Sequence, residues 1–387
     1  MGQYQLPRML SRSAPVANLI HDDSLDSEHV AEHIYRNHIP EFVAATLIRL
    51  YDNVYCTLRR IEAFDSLTGI STYVRRIDSQ IHTVILFRDQ GREILAVNQQ
   101  IELQKDQIEQ FAKKVFEEYK RAQTISFYAI DLAPCQFIFP SQFLASLEEN
   151  VIFFPPKADD YSKTLKGQFR KQLRVSNEQL LADHPGYRLT HYSKNEIDQE
   201  SVKAILDVAK QRMRAKGKAD YTRDIDVAVL TGMLRNCGHM TVAYIDDRIC
   251  GGAMWFSVGK RHFHQLAAYD PAYGRYMLGN QIWLAAILHS LHLGGSECWL
   301  MGGASAHKAR FGARKKVLNS FTVYRSTWHI GLNIDRYISI WLRQNTGRGK
   351  AALKKLSTRS TGAGRAVGRV LLIASAIKSV VHQATSD

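Results

Sequence analysis

The feature of the sequence that most constrains its fold is an order of elements that occurs twice. Each half contains three strand-like segments, a helical pattern and one further strand. In the first half these elements lie at 69–75, 80–87, 93–98, 105–122 and 124–130. In the second half they lie at 240–245, 249–258, 262–269, 278–293 and 296–301. The sequence therefore predicts an α/β (α+β) protein with two tandem units, each a mixed, mainly antiparallel sheet flanked by helices.

Chain length and a proline break divide the sequence into three parts. At 387 residues the chain is too long for one ordinary compact core and suits two domains with tails. Pro155-Pro156 interrupts the chain between the halves, and we expect a basic helix at 163–181 after it. Further helices are expected at 27–38, 198–216 and 222–235. The predicted parts are an N-terminal domain at 1–150, a second domain with a helical bridge at 151–330, and a basic, partly amphipathic tail at 331–387.

The charge balance indicates an anionic partner. The chain has 51 Lys and Arg against 37 Asp and Glu, a net charge of +14, and such a field attracts nucleic acid, anionic lipid, acidic polysaccharide or a phosphorylated cofactor. Much of the excess lies in the tail, where basic residues accompany an apolar block at 370–381. Contact between this tail and an anionic membrane surface is one interpretation; a helix packed on the protein's own surface is an equal alternative.

The cysteines and the N-terminal sequence indicate a cytoplasmic protein. The five cysteines are odd in number and far apart, and none has zinc-ligand spacing, so we expect reduced thiols and no metal site. The N-terminus lacks the continuous apolar stretch of a secretory signal, and no segment has about 20 uninterrupted apolar residues. The predicted location is the cytoplasm, with peripheral contact at the inner membrane as an extension of the tail hypothesis.

The segment 262–303 has a pattern that suits binding of a pyrophosphate. A strand runs into a loop that contains Gly274 and Arg275, and this loop leads directly into an apolar helix. A helix start gathers unpaired backbone N–H groups and the positive end of the helix dipole, which favours an anion. The alternative is a plain strand-to-helix connection, which the residues alone do not exclude.

Three segments carry a resemblance to a known family. These are KTLKGQFRKQLR at 163–174, YGRYMLGNQIWLAAI at 273–287 and GGASAHKARFGA at 302–313. They resemble the GNAT acetyltransferase superfamily, in particular its BioF2-like and CelD-like branch, which is related to the FemAB peptidyltransferases. The resemblance covers about residues 150–326. It implies an N- or O-acyltransferase, most simply an acetyltransferase, in which an acceptor amine or hydroxyl attacks the thioester of acetyl-CoA or another acyl-CoA.

The same resemblance implies roles for individual residues. His264 is the candidate general base and Tyr269 the candidate acid for the leaving thiolate. The residues expected to bind the cofactor are Ala267, Ala268, Gly274, Arg275, Tyr276, Leu278, Gly279 and Asn280. Lys308, Arg310 and Arg170 are expected to bind the acceptor. For each of these side chains a purely structural role, such as a histidine buried on a sheet face or a solvated basic helix face, stays open.

The acceptor and the donor each have alternatives. The CelD-like resemblance implies a small-molecule or glycan-precursor acceptor, as in envelope or exopolysaccharide biosynthesis. A second hypothesis is FemAB-like aminoacyl transfer from tRNA, and otherwise no nucleic-acid partner is expected because no recognised binding motif is present. A third is a non-catalytic, membrane-associated scaffold. Because the segment 98–105 offers no glycine to admit a phosphate, we expect the first unit to support the second rather than to bind a cofactor.

Overall fold

Twelve strands form one continuous sheet in the structure, a computed structural model that describes residues 29–303 and 305–343. The strands are β1 (Val30–Tyr35), β2 (Ile70–Ile77), β3 (Gln80–Asp89), β4 (Glu93–Ala96), β5 (Thr124–Ile130), β6 (Ser141–Phe153), β7 (Arg188–Ser193), β8 (Gly238–Ile245), β9 (Arg248–Val258), β10 (Arg261–Tyr269), β11 (Glu297–Trp299) and β12 (Arg314–Tyr324). Their order across the sheet is β1-β2-β3-β4-β5-β12-β6-β11-β10-β9-β8-β7. The mixed, mainly antiparallel sheet that the sequence predicts is confirmed.

Helices cover the faces of this sheet. They are α1 (Phe42–Tyr51), α2 (Leu58–Phe64), α3 (Lys105–Glu118), α4 (Ala158–Thr164), α5 (Gly167–Asp183), α6 (Gln199–Ala215), α7 (Val227–Cys237), α8 (Leu278–His292), α9 (Ser305–Ala309) and α10 (Thr327–Leu332). In the second half, α6 and α7 pack on one face of β8, β9 and β10, while α8 and α5 pack on the opposite face. Apolar side chains from both layers are therefore buried against the same strands.

Among the strands of the described residues, two neighbouring pairs are parallel, β4 with β5 and β10 with β11. Helix α3 connects the first pair and α8 connects the second, as a parallel pair requires a crossover connection. The repeated β-β-β-α-β order is thus present in both halves. It places each parallel pair beside the start of its own connecting helix.

The halves exchange their last strands. β6 follows the first unit in the chain but pairs with β11, whereas β12 follows the second unit and pairs with β5. β6 and β12 also pair with each other over ten registered positions, from Arg314 opposite Val151 to Val323 opposite Ser141. As a result, β6 runs through residue 150, and the two units share one sheet at their centre.

Two predicted helices differ from the structure. The prediction of a helix at 27–38 is wrong, because Val30–Tyr35 forms the edge strand β1, which pairs with β2 along its whole length. Pairing with an existing sheet outweighs local propensity here. The helix predicted at 163–181 is two helices, since the extended backbone of Leu165 ends α4 before α5 begins at Gly167.

Two further observations bear on sequence predictions. Within the described ranges, no helix has the length and apolar character needed to cross a membrane. Among the same residues, no group of three or more His, Cys, Asp and Glu side chains is arranged to hold a metal ion. Most of the predicted tail, including the apolar block at 370–381, lies outside the described residues.

Candidate functional site

The candidate site begins where β10 separates from β11. These strands pair only from Arg261 opposite Glu297 to Phe263 opposite Trp299. β10 continues to Tyr269 with only its other edge paired, to β9. The register shifts at Gln265, which is a one-residue bulge, and bulges increase local twist and bend a strand. A gap therefore opens beside β10 from His264 onward.

Backbone groups of β10 point into this gap. Asp270 donates its N–H to the carbonyl of Cys250 in β9 (2.8 Å). Since residues of an antiparallel pair alternate between hydrogen-bonded and non-hydrogen-bonded positions, the N–H and C=O of Ala267 point away from β9. Consistent with this direction, the Ala267 carbonyl accepts a hydrogen bond from the guanidinium of Arg212 in α6 (3.4 Å). The Ala267 N–H lies on the same side of the strand.

The loop after β10 places the start of α8 beside the gap. The Asp270 carboxylate accepts from the N–H of Ala272 (3.0 Å) and opens a short 3₁₀ turn. Met277 then takes a left-handed conformation (φ 55°), which is costly for a residue with a side chain. α8 follows with no side-chain cap and no acidic residue in its first turn. Its positive end therefore has no compensating negative charge from the first turn.

Strand, loop and helix enclose a cleft of about 410 Å³. Its walls are formed by β10, the loop that follows it, one face each of α6 and α8, and the α9 region. The lining residues are Arg212, Lys216, Ala267, Tyr269, Gly274, Met277, Gly279, Asn280, Trp283, His307 and Lys308. Since the cleft adjoins both the open edge of β10 and the start of α8, we take it as the candidate functional site.

Two glycines shape the cleft differently. A Cβ at Gly279 would lie 2.4 Å from the Tyr269 ring, so only glycine lets this ring pack against the first turn of α8. At Gly274 the nearest atom to such a Cβ is in Tyr269, 4.0 Å away. Gly274 thus borders open space, and a larger side chain there would enter the cleft without disturbing the fold.

The cleft carries positive charge without negative partners. Arg212 and Lys216 form no ion pair with a carboxylate in the described part of the chain, and the buried Nε of Arg212 lacks a hydrogen-bond partner. Partial burial, followed by the nearby Arg212 charge, lowers the pKa of Lys216. Arg212 is half-buried, and a half-buried charge that lacks an anionic partner is costly, so an anionic ligand would stabilise this wall.

The α9 side contributes His307 and Lys308. His307 Nε2 lies 2.7 Å from the side-chain oxygen of Asn280, which connects α9 to the first turn of α8. Burial is the main cause that lowers the pKa of His307, with the neighbouring cations next. Lys308 donates from Nζ to the carbonyls of Met301 (2.8 Å) and Gly302 (2.5 Å). The lysine is therefore held in place at the base of the cleft.

Glu149 of β6 is a buried carboxylate behind this lysine. It is 4% exposed, and its Oε2 has no hydrogen-bond partner. Burial raises the pKa of Glu149 to about 7, against which the charge of Lys308 lowers it. Burial, and in addition the charge of Glu149, raises the pKa of Tyr55. The Tyr55 hydroxyl accepts a hydrogen bond from Gln265 at the bulge (3.3 Å). These interactions place Glu149 near both Lys308 and the bulge of β10, although it does not line the cleft itself.

The structure brings together some of the residues that the sequence selected. Ala267, Tyr269, Gly274, Gly279, Asn280 and Lys308 line the cleft. Ala268 and Leu278 are core residues, and Tyr276 is buried with its hydroxyl bonded to Asp183 (2.5 Å). Arg275 is exposed and pairs with the same aspartate (3.4 Å). Arg310 and Arg170 line two other cavities, of about 430 and 400 Å³.

His264 lies in the core beside the cleft. Its ring is 2% exposed and stacks between Trp255 (5.1 Å) and Trp283 (5.6 Å). Its Nε2 lies 3.3 Å from the hydroxyl of Ser290, and burial lowers its pKa to about 3. A ring with that pKa is neutral at physiological pH and a weak base. This environment favours a packing role, and Glu149 is better suited to accept a proton.

Sequence reasoning missed several residues of the site. Arg212 and Lys216 follow the helical pattern of α6 and look like an ordinary solvated face. Glu149 lies at the end of the predicted N-terminal domain, in a segment for which no strand was predicted. Trp283 belongs to α8, whose apolar residues are not confined to one face, so the sequence pattern does not show which side of this helix is buried. For Glu149 the sequence carries no clear signal, because the residues of β6 show no clean alternation of polar and apolar side chains.

These features define a class of protein, one whose mixed sheet opens between two parallel strands beside an uncapped helix start. Residues 167–309 match a family model described as an acetyltransferase (GNAT) domain. This match agrees with the GNAT resemblance that the sequence predicts.

Several solved structures are similar to this chain. The crystal structure of FemX is similar over 77% of this chain and 99% of that chain, with 10% identity and a TM-score of 0.55. A conserved protein of unknown function from Bacteroides thetaiotaomicron covers 76% of this chain and all of its own, with 11% identity and a TM-score of 0.48. A tandem GNAT protein from the clavulanic acid biosynthesis pathway covers 76% and 98%, with 11% identity and a TM-score of 0.36. A search of curated proteins found no match.

Proposed function

We propose that this protein is an acyltransferase that takes an acyl group from acetyl-CoA or another acyl-CoA and transfers it to an amine or hydroxyl. The observation that supports this most strongly is the cleft itself. Its cationic wall, which has no carboxylate partner among the described residues, the open edge of β10 and the uncapped start of α8 meet in one space. A ligand with phosphates at one end and a polar, extended arm matches that combination.

The residues of the cleft fit such a donor in order along its length. The N–H groups of Leu278 and Gly279 would bind the pyrophosphate, with Arg212 and Lys216 adding charge-assisted hydrogen bonds. The N–H of Ala267 would donate to the thioester carbonyl and stabilise the negative charge that develops on its oxygen. When bound, acyl-CoA supplies an activated thioester; the protein supplies its position and the proton transfers.

For the general base we propose Glu149. Its carboxylate has an unpartnered oxygen, lies near the bulge of β10, and has a pKa close to neutrality, which suits proton transfer at that pH. It would take the proton of the acceptor amine or hydroxyl, directly or through one water, as the acceptor attacks the carbonyl carbon. Tyr269 remains the candidate that donates a proton to the departing thiolate and recovers it from solvent.

The proposed acceptor is a small molecule or glycan precursor of envelope or exopolysaccharide biosynthesis. The support for this finer assignment is the CelD-like resemblance of the sequence. The buried position of Glu149 between the two halves is consistent with an acceptor that approaches from the α6 and α7 side of the sheet, where Tyr55 and Val151 pack.

A calorimetric titration with CoA and acetyl-CoA tests the proposal. Micromolar binding is expected for the unmodified chain. Gly274→Trp should abolish it, because the new side chain fills the cleft where a Cβ meets no close neighbour. Gly232→Trp is the matched control: Gly232 also has no neighbour within 4 Å and lies on the exposed face of α7, so its affinity should be unchanged.

Two results would contradict the donor assignment. One is the absence of CoA binding by a correctly folded chain, checked by circular dichroism. The other is equal binding by Gly274→Trp and the unmodified chain. A parallel titration with aminoacyl-tRNA distinguishes the alternative donor, because binding of tRNA without binding of CoA would replace the acyl-CoA proposal.

A further inference from the structure

The segment after β12 presents its apolar side chains to solvent. Of the eighteen large hydrophobic residues that are exposed in the described ranges, six lie between 328 and 342. They are Trp328 (73%), Leu332 (51%), Ile334 (50%), Ile338 (46%), Trp341 (51%) and Leu342 (49%). Monomeric soluble proteins rarely expose such a concentration of apolar surface unless it binds a partner.

The opposite face of the same segment is polar and attached to the protein. Residues 334–343 are helical. Arg336 pairs with Glu93 (2.6 Å) and bonds Ser126 (2.7 Å), while the carbonyl of Tyr337 accepts from Gln142 (3.2 Å). Asn333 donates to Gln123 (2.9 Å). The polar face is therefore fixed against the sheet, and the apolar face points outward.

Helical spacing explains this arrangement. Ile334 and Ile338 are separated by four residues, so they lie on the same side of the helix, and both are exposed. Asn333, Arg336 and Tyr337 fall on the other side, also at spacings of three and four. An amphipathic helix ordinarily buries its apolar stripe. Here the polar stripe makes the contacts, which reverses that rule and indicates an external apolar partner. We name the outward side, with Trp328 and Leu332 of α10, the tryptophan face.

Basic residues surround the tryptophan face. An open cavity of about 600 Å³ beside α10 is lined by Gln90, Gly91, Arg92, Lys120, Arg121, Gln123 and His329. Arg92, Lys120 and Arg121 are exposed, and none forms an ion pair with a carboxylate in the described part of the chain. The chain from Arg336 to Lys378 adds ten basic residues and no acidic one. Exposed positive charge thus lies beside α10, and the sequence that follows is basic.

We propose that the tryptophan face docks the protein on a membrane surface rich in anionic phospholipid. Tryptophan side chains favour the level of lipid headgroups, and basic residues beside an apolar stripe pair with anionic headgroups. Trp328, Leu332 and Ile338 would enter the interface, while Arg92, Lys120 and Arg121 would contact lipid phosphates. The surface lies on the first half of the sheet, so docking leaves the cleft beside β10 open to solvent.

Sedimentation of the full-length chain with vesicles tests this surface. Binding is expected to vesicles that contain 30% phosphatidylglycerol in phosphatidylcholine, and only weakly to phosphatidylcholine alone, by roughly tenfold at low salt. Ile338→Asp should weaken binding to the anionic vesicles about tenfold or more, because it places a charge in the stripe. Leu181→Asp is the matched control: Leu181 is similarly exposed (43%) on α5 and lies outside the tryptophan face, so its binding should match the unmodified chain.

Three outcomes would overturn the proposal, and one further measurement would support it. Unchanged binding of Ile338→Asp would place the membrane contact elsewhere, such as in residues 347–387. An absence of binding to anionic vesicles would remove the membrane partner altogether. If light scattering shows a dimer that Ile338→Asp converts to a monomer, and vesicles do not bind, the tryptophan face is an interface between two copies. Quenching of tryptophan fluorescence by brominated lipid, reduced in Trp328→Ser, would support the proposed docking.

Discussion

The two parallel strand pairs have the same connectivity but different continuations. After β4 the chain stays beside β5: the Gln100 N–H donates to the Ala129 carbonyl (2.8 Å), and Asp131 donates to Ile101 (2.8 Å). After Phe263, β10 has no such neighbour, because β11 ends at Trp299. One topology thus produces a closed seam in the first half and a cleft in the second.

The helices that connect the two parallel pairs also differ, in how the start of each helix is capped. In α3 the Gln104 N–H donates to the side chain of Gln107 (2.8 Å), and Asp106 occupies the first turn. In α8 the first turn has neither a side-chain cap nor an acid. The dipole of α3 is therefore compensated from within, whereas that of α8 is available to a ligand. The comparison teaches that a few residues at a helix start decide which copy of a repeated unit can bind an anion.

The largest expected effect is on the rate of acyl transfer, and it comes from a substitution in β6, the strand that follows the first unit but pairs with the second. Glu149→Gln should lower the rate of acyl transfer at least about 100-fold, because it removes the proposed base while keeping the shape of the side chain. The measurement is release of free CoA from acetyl-CoA with a panel of amine and amino-sugar acceptors. Affinity for CoA should not change.

The same variant has a control and a pH signature. Glu148→Gln alters the exposed neighbour that pairs with Lys315 and should retain full activity. In the unmodified protein the rate should rise with pH through about 7, since the Glu149 carboxyl must lose its proton to act as a base. Activity of Glu149→Gln within threefold of the unmodified protein, or a pH profile shared by both, would rule out this residue as the base.

A smaller effect is expected when α8 is made to resemble α3. Asn280→Asp places a carboxylate in the first turn, so it should weaken CoA binding by roughly tenfold through repulsion of the phosphates. It should also raise the free energy of unfolding by about 0.3–1 kcal/mol through the helix dipole. Calorimetry and chemical denaturation measure the two. A variant that loses stability and affinity together would indicate a damaged fold instead of a repelled ligand.

Acid should destabilise the second half selectively. Burial lowers the pKa of His239 and His262 to about 4 and that of His264 to about 3, below the value near 6.5 in an unfolded chain. Between these values the unfolded chain binds more protons, so stability is complete above pH 6.5 and falls as pH drops toward 4. We expect a melting temperature about 5 °C lower at pH 5 than at pH 7.5.

A histidine variant separates this effect from general acid denaturation. His264→Phe keeps an aromatic ring between Trp255 and Trp283, while Ser290 keeps its bond to the Ala286 carbonyl (3.0 Å). Its loss of melting temperature between pH 7.5 and 5 should be smaller than that of the unmodified chain. An identical loss in both would show that this histidine does not contribute.

The smallest effect is expected in the first half. Asp106→Asn removes the acid from the first turn of α3 and its exposed ion pair with Arg75 (3.2 Å). Stability should fall by only about 0.5 kcal/mol, and CoA affinity should not change. A measurable change of affinity would mean that the first half contributes to donor binding, against the comparison drawn above.

Local patterns predicted most of the fold. The strand-like runs of β8, β9 and β10 and the helical spacing of Ile108, Phe111 and Val115 in α3 predicted the repeated unit and its sheet type. The exchanged strands β6 and β12 were not predicted, because their partners are distant in the chain and their residues show no clean alternation. Edge strand β1 was misassigned as a helix for the related reason that pairing with β2 decides its conformation.

The site was predictable only where backbone geometry follows from sequence order. Gly274, Gly279 and Asn280 stand at a loop and helix start, and the structure places all three in the cleft. Side chains whose position depends on packing between layers were not predictable in this way. Glu149 lies on an exchanged strand, and Arg212 reaches the cleft from α6. The core position of His264 depends on which face of β10 is covered by α8.

Hydrogen exchange with and without CoA tests the central comparison most directly, because it reports on both halves in one experiment. Bound CoA should slow exchange at residues 264–281, where β10, the loop and the start of α8 line the cleft, and leave residues 94–108 unchanged. Protection at 94–108, or none at 264–281, would contradict the account in which only the second copy of the unit binds a donor.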